Sequence, residues 1–127
     1  MTLVPPVNII YFVEYMRDGA EKTLGEFEQL VLLALLRLGS KAYGVSVRAE
    51  IERRALRQVS VSAVYTTLER LEKQGLVSSR VGEPTPERGG RRKKFFALTA
   101  AGSEALAQSY RTFKGMVAGL ERQLGKL

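Results

Sequence analysis

The chain has 127 residues, a length that fits one domain and leaves little room for a second. Hydrophobic residues make up 45% of the chain and charged residues 26%, an ordinary composition for a globular protein. Lys and Arg number 20 against 13 Asp and Glu, which gives a net charge of +7. His and Cys are absent, which excludes cysteine nucleophiles, disulfides, thiolate or imidazole metal sites and histidine acid–base chemistry. We therefore expect neither an enzyme nor a cofactor.

The positive charge lies beyond residue 30. Residues 1–30 hold two basic and five acidic residues, whereas the remainder holds 18 basic and eight acidic ones, a net charge of +10. This asymmetry indicates a polyanionic partner, either nucleic acid or an anionic membrane surface, the alternative being a basic surface that keeps the protein soluble. The longest apolar run, residues 30–36, is too short for a membrane crossing of about 20 residues. The apolar residues 1–16 lack a basic leader, so we expect no signal peptide and a cytoplasmic location.

Two helices are predicted in the region before residue 57. Thr23 and Glu26 have capping-box spacing, and the apolar residues that follow have helical periodicity until Gly39 ends the helix. This helix is apolar nearly all round, which indicates burial on several sides, and in a small domain one side can be covered by another subunit. The second helix covers residues 44–56. Its buried stripe comprises Val47, Ile51 and Ala55, and its charged residues, Arg48, Glu50, Arg53 and Arg54, are expected to face elsewhere.

A third helix is predicted from the N-cap Ser60 to Gln74, with Gly75 after its end. At about 100° per residue, one face of this helix is apolar and the opposite face is polar. The apolar face comprises Val61, Val64, Leu68 and Leu71; the polar face comprises Ser62, Thr66, Arg70 and Lys73, flanked by Ala63 and Glu69. Short hydroxyl side chains and an Arg on an exposed helix can read base edges in a DNA major groove. The alternative is an ordinary solvated face.

Two strands, residues 76–81 and 93–98, predict a β-hairpin. The Gly and Pro residues between them exclude regular structure. Cations without an acid crowd the far end of this loop: Arg88, Arg91, Arg92, Lys93 and Lys94. Because the hairpin directly follows a helix-turn-helix pattern, we interpret it as a basic wing, the alternative being a solvated loop.

Thr99 is the predicted N-cap of a last helix that extends to about Leu124, roughly 39 Å at 1.5 Å per residue. Six apolar residues of this helix have heptad spacing: Leu106, Tyr110, Phe113, Val117, Leu120 and Leu124. The rest of the chain is too short to cover this seam, so we expect a second subunit to do so. Gly115 and Gly119 on the other side either mark a close helix approach or merely cost stability.

The order of elements predicts a mainly α fold with a small β-hairpin, a winged helix-turn-helix with an added dimerisation helix. The stretch VSVSAVYTTLERLEKQGLV, residues 59–77, resembles the recognition segment of PadR-like transcriptional regulators. Residues 89–102, GGRRKKFFALTAAG, resemble the second wing strand of that family, and residues 24–36, LGEFEQLVLLALL, resemble its first helix. Ser62-Ala63-Val64-Tyr65 stands where the family often has Gly-Thr-Leu-Tyr, so we expect a different base preference. Without Trp, a drug-stacking aromatic pocket is not expected.

Three parts of the chain are predicted: an N-terminal extension (residues 1–22), a winged helix-turn-helix (residues 23–98) and a dimerisation helix (residues 99–127). The resemblance covers about residues 24–107 and leaves the extension out. The extension either packs on the dimer or reflects an overlong gene model in which Met16 is the true start.

The leading hypothesis is a homodimeric, sequence-specific DNA-binding regulator, acting as a ligand-responsive repressor at a palindromic operator. Predicted base contacts are Ser62, Ala63, Thr66 and Arg70; predicted DNA-backbone contacts are Lys41, Tyr43, Tyr65, Arg88, Arg91, Arg92 and Lys93. The predicted dimer interface comprises Phe27, Val31, Leu35, Leu106, Tyr110, Phe113, Val117, Leu120 and Leu124. The resemblance implies a small-molecule inducer near this interface, although plain core packing also accounts for the apolar first helix. The alternative function is a winged-helix module that binds another protein instead of DNA.

Overall fold

The computed structural model describes residues 23–84 and 92–125. In chain order these residues form α1 (Glu26–Leu38), a 3-10 turn (Gly39–Lys41), α2 (Gly44–Ala55), α3 (Val61–Lys73), β1 (Val77–Pro84), β2 (Arg92–Leu98), α4 (Ala100–Val117) and α5 (Glu121–Leu124). The mainly helical fold with an antiparallel hairpin confirms the predicted winged helix-turn-helix. The predictions for the N-terminal extension, Arg88 and Arg91 lie outside the described residues.

One hydrophobic core joins α1, α2, α3 and the hairpin. The inner face of α3 is the predicted one, since Val64, Leu68 and Leu71 are fully buried. Burial of one such side chain contributes roughly 1.5–3 kcal/mol. In α1, Val31 and Leu32 are fully buried and Ala34 and Leu35 nearly so, whereas Leu33 and Leu36 on the other side of the helix are exposed. The helix therefore runs through the middle of the domain, and α3 is held against it by apolar contacts.

Local hydrogen bonds explain where α1 and α3 begin. The predicted Thr23–Glu26 capping box is wrong, because the carboxylate that caps α1 belongs to Glu28. Its Oε1 accepts a hydrogen bond from the Gly25 N–H at 2.8 Å, which makes Gly25 the N-cap. The Ser60 hydroxyl caps α3 as predicted and accepts from the Ala63 N–H at 3.0 Å. The start of α3 is thus set by a side chain next to its exposed first turn.

Carboxylates fix the turn between α2 and α3. Glu52 Oε2 accepts a hydrogen bond from the Val59 N–H at 2.9 Å and also contacts Arg48 Nε at 3.4 Å. Glu50 is buried, which corrects the prediction that it faces away from the core with its charged neighbours. Its burial is tolerated because Arg53 and Arg54 each donate to one of its oxygens, at 2.6 and 2.7 Å. Glu52 therefore ties α2 to the link before α3, whereas Glu50 pairs only within α2.

The hairpin is tied to the chain segment before α2. Its strands pair from Val77 opposite Leu98 to Val81 opposite Lys94, and an irregularity follows toward Pro84. The Phe96 N–H donates to the Ala42 carbonyl oxygen at 2.9 Å, which adds a short third edge to the hairpin. The strands extend one to three residues farther into the loop than predicted, and the hairpin is anchored on its β2 side.

The last helix is shorter than predicted. α4 ends at Val117, and the chain then turns at Gly119, whose φ of 89° lies in the left-handed region that favours glycine. The 18 residues of α4 span about 27 Å at 1.5 Å per residue. Leu120 and Leu124 lie beyond this turn, so the continuous six-residue heptad seam is wrong. A Cβ at Gly115 would meet no atom within 4 Å, so that glycine marks no close helix approach among the described residues.

Two glycines of α4 provide matched tests of its packing. A Cβ at Gly102 would overlap the Leu76 carbonyl oxygen, so α4 can cross the start of β1 only because residue 102 has no side chain. We expect Gly102→Ala to lower the free energy of unfolding by roughly 1–3 kcal/mol through overpacking. Gly115→Ala lies in open space on the same helix and is expected to raise it by about 0.5–1 kcal/mol. Urea denaturation measures both, and effects of the same sign would contradict this packing.

The turn contact of Glu52 predicts a pH dependence. The Val59 N–H lowers the pKa of Glu52 below its ordinary value of 4.5; burial opposes this shift and Arg48 adds to it. A lowered pKa in the folded state stabilises the fold above the unfolded-state pKa, and this contribution is lost as the pH falls from about 4.5 through the folded-state value. We therefore expect Glu52→Gln to reduce the loss of unfolding free energy between neutral and acid pH. Arg48→Ala should retain most of the pH-dependent loss of unfolding free energy, because the Val59 N–H lowers the pKa of Glu52 more than Arg48 does. Parallel stability–pH curves for wild type and Glu52→Gln would refute the assignment.

Candidate nucleic-acid interface

The first turns of α3 expose a face of short side chains. Ser62, Ala63 and Thr66 are exposed there, as predicted, whereas Val64 faces the core. Thr67, one residue farther along, is buried and does not belong to this face. A face of hydroxyl and methyl groups allows a helix to approach another surface closely and still offers donors and acceptors.

Arg70 lies on the same face, about 12 Å farther along the helix than Ser62 at 1.5 Å per residue. Its Nε donates to Glu28 Oε2 at 3.1 Å, and the two side chains are 49% and 15% exposed, respectively. Helical periodicity did not predict this ion pair, because its partners are 42 residues apart and on different helices. The only signal in the sequence is the excess of acids before residue 30.

Tyr65, a predicted DNA-backbone contact, joins α3 to both neighbouring elements. Its ring lies 6.5 Å from the Phe96 ring in an edge-to-face arrangement. A Cβ at Gly44 would overlap the Tyr65 ring, so the first residue of α2 must be small for the two helices to pack in this way. Tyr65 remains partly exposed. It therefore stabilises the fold and keeps some surface at the interface.

Rings and cations alternate at the base of the hairpin. The Tyr43 and Phe95 rings are 5.6 Å apart, with Lys93 Nζ 4.9 Å from the centre of the Tyr43 ring and the Arg80 guanidinium 4.6 Å from that of Phe95. Exposed cation–π contacts contribute about 0.5–1 kcal/mol each. The structure thus brings together Tyr43 and Lys93, two predicted contacts. Arg80 was missed, although strand pairing places it opposite Phe95.

Glu72 connects the hairpin to α3. Its Oε2 accepts a hydrogen bond from the Ser79 hydroxyl at 2.6 Å, and its Oε1 lies 3.9 Å from Lys94 Nζ. Lys94 is thus paired within the domain. Its neighbours in the sequence, Arg92 and Lys93, form no ion pair with an acid among residues 23–84 and 92–125. Lys41, a further predicted contact, is exposed in the turn before α2. The arrangement orients α3 and the basic hairpin as one unit.

The predicted dimer residues fall into three groups: buried, partly buried and exposed. Val31, Leu35 and Leu106 are buried within the protomer, at 0%, 3% and 8% exposure, because they pack in its own core. For these three, assignment to a dimer interface is wrong. Phe27 and Val117 are partly buried. The other four predicted residues, Tyr110, Phe113, Leu120 and Leu124, are exposed, as are Leu33, Leu36 and Met116. The exposure of Leu33, Leu36 and Met116 was not predicted, because periodicity alone does not tell which apolar side chains of a helix pack on the core.

Other kinds of site receive little support from the described residues. A cavity of about 280 Å³ lies between the 3-10 turn and the hairpin, and its lining includes no residue of α1 or α4. It therefore does not coincide with the predicted inducer position. Across residues 23–84 and 92–125, no group of three or more Asp, Glu, His or Cys residues could hold a metal ion. In the same residues, no helix combines the length and apolar character needed to span a membrane.

Comparisons with known proteins agree with this geometry. The model of the transcriptional regulator PadR-like family matches residues 32–108. PadR family regulators of solved structure share the fold: one from Clostridium difficile R20291 has a TM-score of 0.59 and 21% identity, over 79% of this chain and 98% of that one. One from Eggerthella lenta DSM 2243 has a TM-score of 0.57 and 21% identity, over 95% and 96% of the two chains. A PadR-like transcription factor from Bacteroides fragilis has a TM-score of 0.60 and 21% identity, over 88% and 97%.

A search of curated proteins gives no match. At this level of identity the solved structures show a shared fold, and the family model supplies the assignment. Since that model covers more than half of the residues, including α3 and the hairpin, the chain belongs to the PadR-like family of transcriptional regulators.

Proposed function

We propose that this protein is a homodimer that binds duplex DNA sequence-specifically and acts as a cytoplasmic repressor. The observation that carries the proposal is the pairing of two surfaces: the exposed short-side-chain face of α3 and the basic hairpin beside it. Tyr65 and Glu72 hold both on one core. A helix of this kind fits the DNA major groove, while a wing contacts the adjacent backbone.

Sequence would be read by Ser62, Ala63, Thr66 and Arg70. The N-terminal residues of a recognition helix lie nearest the base edges in helix-turn-helix proteins, and the first three of these residues occupy that part of α3. The Ser and Thr hydroxyls can donate or accept, and the Ala methyl can contact a thymine methyl group. Arg70 supplies the fork that matches guanine O6 and N7.

The phosphate backbone would be contacted by the cations and aromatic hydroxyls around this helix. The proposed contacts are Lys41, Tyr43, Tyr65, Arg92 and Lys93, together with Arg88 and Arg91 of the hairpin loop. We add Arg80 to this set because its guanidinium lies beside the Phe95 ring. The net charge of +10 after residue 30 supports this assignment, because counterion release by phosphate contacts drives much of protein–DNA affinity.

A second copy of the chain would cover the exposed apolar surface of α4. Tyr110, Phe113 and Met116 are 62%, 68% and 75% exposed. Adjacent large apolar side chains that protrude together are typical of a protein–protein interface, since they otherwise promote aggregation. A two-fold axis would relate two α3 helices and match a palindromic operator with half-sites about one helical turn apart. Repression, and its release by a small-molecule inducer, are proposed on the family resemblance.

Selection of bound sequences from a random duplex library tests the function. We expect an enriched palindrome, with affinity for it that falls steeply as salt rises. Removal of two wing cations by Arg92→Ala and Lys93→Ala should weaken binding to all duplexes alike. The slope of log affinity against log salt should flatten by about 0.9 for each phosphate that the protein no longer neutralises.

Arg122→Ala, which removes a cation from the exposed α5, is the control and should leave that slope unchanged. Failure of the wild type to enrich any sequence, with weak and salt-insensitive DNA binding, would favour a module that binds another protein.

The dimer is tested at Phe113. Burial of this side chain should favour association by roughly 1.5–3 kcal/mol per copy, so Phe113→Ser is expected to shift the protein toward monomer and to weaken operator binding. Val45→Ser removes a half-exposed apolar side chain from α2 and should leave the dimer intact. Sedimentation at micromolar concentration distinguishes the two states. A wild-type monomer that binds its palindrome tightly would contradict the proposal.

A further inference from the structure

We infer that Glu28 of α1 is a positioning residue for Arg70 of α3, and that it presents the Arg70 guanidinium to a guanine in each half-site. This inference rests on the proposed function and adds a specificity-determining residue to it. Glu28 itself is not proposed to touch DNA. It acts through the side chain that it holds.

Glu28 is fixed before any DNA is bound. Its Oε1 accepts the N–H of Gly25 at 2.8 Å, and its Oε2 accepts Nε of Arg70 at 3.1 Å, so both carboxylate oxygens are engaged. The side chain is only 15% exposed, and it lies in the first turn of α1, where the helix dipole favours a negative charge. A carboxylate held in this way is a rigid support, unlike one on a free surface side chain.

Arg70 keeps its other donors available. Its contact with Glu28 uses Nε, and within the described residues the structure assigns no hydrogen bond to Nη1 or Nη2. Guanidinium groups have five N–H donors, so one edge can bind a carboxylate while the terminal nitrogens contact a second planar acceptor pair. Guanine O6 and N7 form such a pair in the major groove. Arg70 is half exposed on the face of α3 that also exposes Ser62 and Thr66.

The benefit of the support is preorganisation. A free Arg loses rotamer freedom when it contacts a base, which weakens binding, whereas an Arg already held in place has lost part of that freedom in the free protein. The gain applies only where the Arg meets its matching base. Removal of Glu28 should therefore affect one base position and leave the remaining contacts of α3 unchanged.

A neighbouring ion pair supplies the matched control. Glu26, in the same turn of α1, contacts Arg57 Nη2 at 3.0 Å. That pair resembles the Glu28 pair in distance and sequence separation, but Glu26 is 75% exposed, and Arg57 lies in the link between α2 and α3, outside the recognition helix. Loss of Glu26 removes the same charge from the same turn.

The experiment measures base preference position by position, with the selected palindrome and its single-base-pair variants as probes. We expect Arg70→Ala to abolish the preference for guanine at one position of each half-site. Glu28→Ala should reduce the preference at that same position by roughly 2- to 12-fold, the range for one side chain that must be immobilised on binding. The Glu28→Ala, Arg70→Ala double variant should match Arg70→Ala, and Glu26→Ala should match wild type. Glu28→Gln retains an oxygen acceptor, so we expect a smaller loss and a folded protein by thermal melting.

Each of the following results would overturn the inference. Tighter binding of Glu28→Ala to every duplex, with a steeper salt dependence, would mean that Glu28 withholds Arg70 from DNA. If Glu28→Ala lowers affinity equally at all base positions, or lowers it further in the Arg70→Ala background, Glu28 acts only as a helix cap. If the wild type selects a sequence but Glu28→Ala leaves its guanine preference unchanged, this inference alone is contradicted. If the wild type selects no sequence, the proposed function is contradicted as well.

Discussion

The packing of α3 against α1 is the contact on which the rest of the structure depends. Val64, Leu68 and Leu71 are fully buried on one side of α3, so the opposite side is the only one that can face outward over the whole length of the helix. Ser62, Thr66 and Arg70 are therefore presented together because of where the apolar residues lie. The hairpin is then oriented from the same helix, through Glu72 to Ser79 and through Tyr65 to Phe96.

Three acidic side chains connect elements of the domain. Glu28 holds Arg70, Glu52 holds the link before α3, and Glu72 holds the hairpin. Each carboxylate accepts hydrogen bonds from a neighbouring element, which places it between elements instead of on the open surface. Arg92 and Lys93 are left to give the hairpin its positive charge. The overall charge of +7 thus understates the positive field that a DNA backbone would meet at that side of the domain.

The sequence predicted those features that depend on neighbours along the chain. The inner face of α3, the Ser60 cap and the end of α1 at Gly39 follow from local periodicity and local hydrogen bonding, and the structure confirms them. Some features were missed. The N-cap of α1 is Gly25, two residues later than predicted, so the residue at the third helical position that closes the capping box is Glu28 and not Glu26. The heptad pattern continues through Gly119, but the helix does not, because the chain turns there. The spacing of apolar residues gives no information about the backbone angle at Gly119. The Glu28–Arg70 contact could not be predicted from spacing at all.

The break after Val117 changes what a dimer can look like. A continuous seam would have allowed two long helices to pair along their full length, as in a coiled coil. With α4 shortened and Leu106 buried in the protomer, the apolar surface left for a partner is concentrated near Tyr110, Phe113 and Met116. Leu33 and Leu36 on the outer side of α1 are exposed as well. If a partner covers them, one face of α1 contacts the second subunit and another face packs against α3. The first turn of α1 also supports Arg70, through Glu28. In the proposed dimer, the spacing of the two recognition helices then depends on the rigidity of α1.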